Sequence, residues 1–219
     1  GQIRNITFVD SLSQAPKDAW DVSDGGNWSV MAWVEPEGAG YHLYIGADGG
    51  INADRACVDL FAGYQNVLTI DFGDAFHTED TTDMSRMFFG CASLTELNLS
   101  SLDTANVLTM DRTFSWCRSL KSLDVSGFDT SNITSMYRMF CGCDNLTELD
   151  LSSWDTSALV DMTGMFGSCL ALERINLDGF ETGNVVTMSG LFHSCASLTE
   201  LDLRSFDTGK VEDMWGMFC

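Results

Sequence analysis

The chain has 219 residues, with 11 Lys+Arg against 32 Asp+Glu and a formal net charge of −21. That balance excludes nucleic acids and anionic membrane surfaces as first partners, because both ask for a basic footprint. Hydrophobic residues at 45% and aromatics at 11% supply enough apolar surface to fold. The three histidines, His42, His77 and His193, are too scattered for a His-based triad or a multi-His metal site.

The first 50 residues contain the β-rich runs "NITFV", "WSVMAWVE" and "YHLYIG", separated by Gly, Asp and the chain's two prolines, Pro16 and Pro36. They predict a β-rich N-terminal cap over residues 1–50, packed on the first coil of whatever follows, with Trp20, Trp28 and Trp33 as packing residues.

From residue 51 onward the sequence repeats. Phe88, Phe114, Phe140, Phe166, Phe192 and Phe218 recur every 26 residues without an insertion, and a degenerate earlier copy is recovered from Phe61, Val67, Ile70 and Phe72. Met84 to Met214 and Cys91 to Cys195 keep the same step, as do Leu94 to Leu198. The L-x-x-L-x-L stretch alternates apolar and polar residues at its end, which predicts a short strand. Met84, Met87, Phe88 and Cys91 follow i, i+3, i+4, i+7, which predicts a short helix. Asp83, Thr109, Ser135, Asp161, Thr187 and Asp213 stand just before it as N-cap types. The expected fold class is therefore α/β: a solenoid over residues 51–219 of about six coils, each with one parallel strand and one short helix. The chain stops at Cys219, just after Met217-Phe218, so a fragment of a longer array lacking its C-terminal cap is expected.

Units such as "FDTSNITSMYRMFCGCDNLTELDLS" (128–152) resemble the 26-residue repeats of BspA-type leucine-rich repeat surface proteins of bacteria, and "YHLYIGADGGINADRACVDLFAGY" (41–64) resembles the segment that leads into such arrays. The resemblance covers residues 41–219. It implies a secreted or cell-surface, non-enzymatic binding protein that contacts host, matrix or neighbouring-cell proteins. No wall anchor or lipobox is visible, so surface attachment comes from the resemblance alone.

Several columns invite sharper readings. The eight cysteines fall mostly in one inward column and read as free core thiols, because adjacent rungs bridge only with strain. The Phe ladder reads as core, not as a stacking platform. Asp103, Asp129, Asp155 and Asp207, with Glu181 in the same column, precede a Thr in every unit and read as turns closed through the Asp side chain, with a calcium site as the alternative. Arg86, Arg112 and Arg138, with Tyr137 beside them, form a basic row that reads as solvated residues, with sulfated or sialylated glycans as the sharper alternative. The outward strand columns carry Asp71, Glu96, Asn98, Asp124, Glu148, Asp150, Asn176 and Asp202. Asp and Asn are poor strand residues and like charges in a ladder repel, so this face reads either as a solvated polar face whose Asp and Asn side chains bond to one another and to strand ends, or as the candidate partner-binding surface, a docking strip for a basic protein segment or for cations. The expectation is a non-enzymatic module for adhesion or protein–protein interaction, with no catalytic residue, cofactor or metal. A carbohydrate-binding accessory domain of a larger surface protein is the alternative.

Overall fold

The computed structural model describes residues 2–219. Strands β1 (Ile3–Val9), β2 (Trp20–Asp21), β3 (Met31–Glu37) and β4 (Gly40–Gly46) precede the repeats, and β3 and β4 form an antiparallel hairpin whose turn uses Gly38 at φ 55°. The repeats contribute β6 (Thr69–Asp71), β8 (Glu96–Leu97), β9 (Glu148–Asp150) and β10 (Arg174–Asn176); β5 (Ile51–Asn52) and β7 (Phe76–His77) pair separately. The main sheet has the order β2-β3-β4-β1-β6-β8. β1 lies parallel to β6, with Asn5, Ile6 and Thr7 opposite Thr69, Ile70 and Asp71. The N-terminal segment thus extends the ladder of the repeats edge to edge, and Ile6 and Phe8 enter the same core as Phe61, Phe72 and Phe76.

A smaller cluster joins Ala19, Met31 and Trp33, with Tyr44 stacked on Trp33 at 5.4 Å. Of the three tryptophans expected to pack, only Trp33 is buried; Trp20 is 43% and Trp28 60% exposed. Hydrophobic runs told which residues could pack, and alternation along a two-residue strand was too short to tell which did.

The expected α/β leucine-rich repeat solenoid is overturned. No α-helix occurs among the described residues, whose single helical turn is the 3₁₀ segment Leu12–Gln14, and the protein is a mixed β-sheet structure. Where helices were expected, the chain makes successive turns. In the repeat around Phe88, Arg86 is at φ 58° and Gly90 at φ 72°. The same two columns are left-handed in Arg112 and Trp116, Arg138 and Gly142, Gly164 and Ser168, and Gly190 and Ser194. A right-handed helix cannot pass through a left-handed residue every four positions.

The backbone hydrogen bonds show what replaces it. The N–H groups of Met87, Phe89 and Cys91 close turns on the carbonyls of Met84, Arg86 and Phe88, three residues back. Those of Met84, Arg86, Phe88 and Gly90 donate to Thr109, Asp111, Thr113 and Ser115 in the following repeat. Alternate residues therefore bond inward along the turn and across to the neighbour, which satisfies the donors a helix would have satisfied. The expected N-cap column serves this ladder: Asp83, Thr109, Ser135, Asp161, Thr187 and Asp213 form a continuous series of parallel bridges, and Asp83, Asp161 and Asp213 accept from the N–H two residues on. A residue that caps a helix caps a turn by the same bond.

The expectation of one strand per repeat also fails in part, since residues 119–127 and 198–203 contain no strand. Their apolar residues still face inward, and Leu120, Leu123 and Val125 are buried. One cluster runs from Ile6 to Met217. Its axis is the Phe ladder, in which rings 88, 114, 140, 166 and 192 stack with centroids 5.4–5.9 Å apart and planes within 14°. The ladder ends on Phe218, which is 63% exposed.

Candidate functional site

All eight residues of the expected strand face lie on the same side of the repeats, and the structure gives six of them a local task. Oδ1 of Asp71, Asn98, Asp124, Asp150, Asn176 and Asp202 accepts the N–H of the residue two positions on at 3.0–3.1 Å. Each of these positions closes an Asx turn at the end of a strand or of an extended segment, which explains why poor strand formers occupy this column. Ser126 and Ser152 add hydroxyl bonds to Asp124 and Asp150 at 2.7 Å. Glu96 lies opposite Thr69 in the β6–β8 pair, and Glu148 meets Arg174 at 3.0 Å across β9–β10. Both partners of that ion pair are largely exposed, so it adds little stability.

Five of the eight, Asp124, Glu148, Asp150, Asn176 and Asp202, border a shallow groove of about 670 Å³. Its lining includes Asp124, Glu148, Asp150, Glu200 and Asp202, and Arg174 is its one basic residue. Asp71, Glu96 and Asn98 lie outside this groove, towards the N-terminal end. The hydroxyl and amide bonds from Ser126 hold the Asp124 carboxyl below its usual range, those from Ser152 do the same for Asp150, and Arg204 holds Asp202 down to about 2. The groove is therefore anionic at every physiological pH.

The aspartates of the second acidic column are structural. Asp103, Asp129, Asp155 and Asp207 accept the N–H two residues on. Thr104, Thr130 and Thr156, which follow the first three of these, and Thr182, which follows Glu181, are buried and donate to the carbonyls of Asp129, Asp155, Glu181 and Asp207 in the next repeat at 2.9–3.0 Å. Asp129 and Asp155, like Asp124 and Asp150, are held below the usual carboxylate range by the serine two residues on. A carboxyl depressed in the fold stabilises above its unfolded value, about 3.9, and loses that contribution as pH falls through the folded value. The melting midpoint, followed by circular dichroism, is expected to drop below about pH 4. A variant with Asn at positions 124, 129, 150 and 155 keeps the turns without titrating, as Asn98 and Asn176 already do, and should lose less. Parallel acid profiles for the two proteins would refute this account.

The inward thiols also form a column. Cys91, Cys117, Cys143, Cys169 and Cys195 donate from Sγ to the carbonyls of Phe61, Phe88, Phe114, Phe140 and Phe166 in the preceding repeat at 3.1–3.2 Å. All eight cysteines are free. Burial pushes Cys91 up to about 12 and Cys195 to about 11, and raises Cys117, Cys143 and Cys169 as well. Spacing showed the column, but no sequence signal showed that the thiols are donors.

The turn segments carry the basic row. Arg86 forms a two-point bond with Asp59 at 2.8 and 2.7 Å. The guanidinium carbons of Arg112 and Arg138 lie 5.0 and 5.2 Å from the centroid of Tyr137, and Arg118 lies 4.9 Å from that of Trp116.

No curated protein and no solved structure matches the chain. A family model described as "Mycoplasma protein of unknown function, DUF285" matches residues 56–175 and again 145–219, the turn-and-strand repeats described above. With more than half of its length covered by that pattern, the chain belongs to this family.

Proposed function

We infer that this protein is a non-enzymatic binding module of a secreted or cell-surface protein, akin to BspA-like surface repeat proteins, which mediates adhesion or protein–protein interaction by docking a basic segment of a host or neighbouring-cell protein along its strand face. The observation that carries this reading is the groove on the strand side, bordered by Asp124, Glu148, Asp150, Glu200 and Asp202 with Arg174 as its single cation. Rows of like carboxylates give a basic chain equivalent stations along its length, whereas catalysis asks unlike groups to converge on one pocket. Three of these five carboxylates, Asp124, Asp150 and Asp202, close Asx turns, so residues that shape the backbone also supply the field.

The test uses a lysine- and arginine-rich peptide as probe. Asp124→Asn with Asp150→Asn removes two charges and keeps both turns. It is expected to weaken peptide binding about tenfold and to flatten its salt dependence, as loss of exposed interfacial charge does. Unchanged affinity measured by calorimetry at low and physiological salt would sink the proposal.

A further inference from the structure

A second site lies on the turn segments, apart from the acidic groove. We propose that Arg112 and Arg138, gathered around Tyr137, bind a compact oxyanion of the kind borne by a sulfated or carboxylated sugar. This goes beyond the reading of the strand face and rests on different residues.

The first observation is charge. Arg86, Arg118, Arg174 and Arg204 each meet a carboxylate: Asp59, Asp144, Glu148 and Asp202 respectively. Arg112 and Arg138, like Arg4 and Arg55, have no such partner among the described residues, but only Arg112 and Arg138 converge on one ring. The nearest acid in sequence, Asp111, is held elsewhere, accepting from the Ser135 hydroxyl and the Tyr137 N–H. Both guanidiniums sit about 5 Å from one ring centroid in adjacent repeats, so the Tyr137 ring answers part of their charge and no carboxylate answers the rest.

The second observation is backbone conformation. Arg112 and Arg138 occupy the left-handed column at φ 56° and 53°, where later repeats place Gly164, Gly190 and Gly216 at 59–63°. The fold needs only glycine there, and a side chain at positive φ is strained. The repeat of Arg112 goes further, since its other left-handed position holds Trp116 at φ 65° where the neighbouring repeats have Gly90 and Gly142. Arg86 stands in the same column at φ 58°, where its side chain pairs with Asp59, so an arginine kept there against an available glycine serves what its side chain meets.

The net charge selects the size of the ligand. A long polyanion would run across acidic surface within a screening length of about 8 Å, whereas a single sulfate or carboxylate meets only the two arginines. Each can present two parallel N–H donors to it.

The experiment titrates the intact chain with three probes at low ionic strength: inorganic sulfate, glucosamine 6-sulfate, and an oligoglutamate peptide, following the Arg and Tyr137 signals by NMR. Sulfate and the sulfated sugar are expected to bind with shifts centred on Arg112, Tyr137 and Arg138. Tighter binding of the sugar identifies a saccharide ligand, and equal binding identifies the free oxyanion as sufficient. Arg112→Gly with Arg138→Gly is the decisive variant, because glycine accepts these φ values and the melting midpoint is expected to hold or rise. Its affinity should fall about tenfold or more for each arginine lost, as for charge-assisted hydrogen bonds. Undiminished binding by a folded double-glycine variant, no binding by the parent, or binding of the glutamate peptide alone would each overturn the proposal.

Discussion

Replacing Phe140 with Ala is expected to destabilise the protein by about 3–5 kcal/mol, lowering its melting midpoint by roughly 2–4 °C for each kcal/mol. The ring is fully buried and stacks on Phe114 at 5.6 Å and on Phe166 at 5.9 Å, with Trp154 at 6.3 Å. Its removal leaves a void flanked by two rings that are each fixed by their own neighbours, so collapse into the space is limited. Phe218→Ala is the internal control. That ring stacks on Phe192 at 6.0 Å on one side only and is 63% exposed, so its loss should cost less than about 1 kcal/mol. Thermal or urea unfolding of the two variants separates ladder packing from mere aromatic content, and equal losses would show that the stack is not what holds the repeats.

The second large effect is expected at Gly142. This residue is at φ 76°, and a Cβ there would lie 2.6 Å from Cε3 and 2.8 Å from Cδ2 of Trp116. Gly142→Ala combines the left-handed backbone cost, about 1–2 kcal/mol, with displacement of an indole that Arg118 covers. Gly90 supplies the comparison, since it is at φ 72° in the same column and an added Cβ there has no atom nearer than 3.9 Å. Gly90→Ala should cost the backbone share alone. Adding Trp116→Ala to Gly142→Ala should recover the steric share, a coupling that a double-mutant cycle measures directly. If Gly90→Ala and Gly142→Ala lose equal stability, the indole is not seated on that backbone.

These two positions also show what could be read in advance. The Phe column was legible because burial repeats with the period, whatever the local backbone does. The backbone was not, because Met84, Met87, Phe88 and Cys91 point to one side equally well in a helix and in tandem turns closed by i to i−3 bonds. Glycines 90, 142, 164, 190 and 216 were the available warning, since a helix gains nothing from them and a left-handed turn needs them. Arg and Trp in the same columns concealed that signal, being ordinary helix residues at positive φ. On the strand side, the Asp/Asn column was found by its spacing, whereas its Asx turns depend on where the strands end, which local sequence places only within a few residues. Arg174 opposite Glu148 was legible from the period alone.

The thiol column bears on where such a chain can persist. Disulfide exchange proceeds through the thiolate, and it slows as the thiolate fraction falls. Cys91 and Cys195, pushed up to about 12 and 11, and the still more buried Cys117, Cys143 and Cys169 between them remain protonated at neutral pH. Each S–H is also tied to a carbonyl of the repeat before it. Five thiols in register would invite scrambling wherever oxidants form disulfides. Held this way these five are shielded from exchange while the fold is intact, unlike the exposed Cys219, and alkylation of a column thiol would report opening of the individual repeat that carries it.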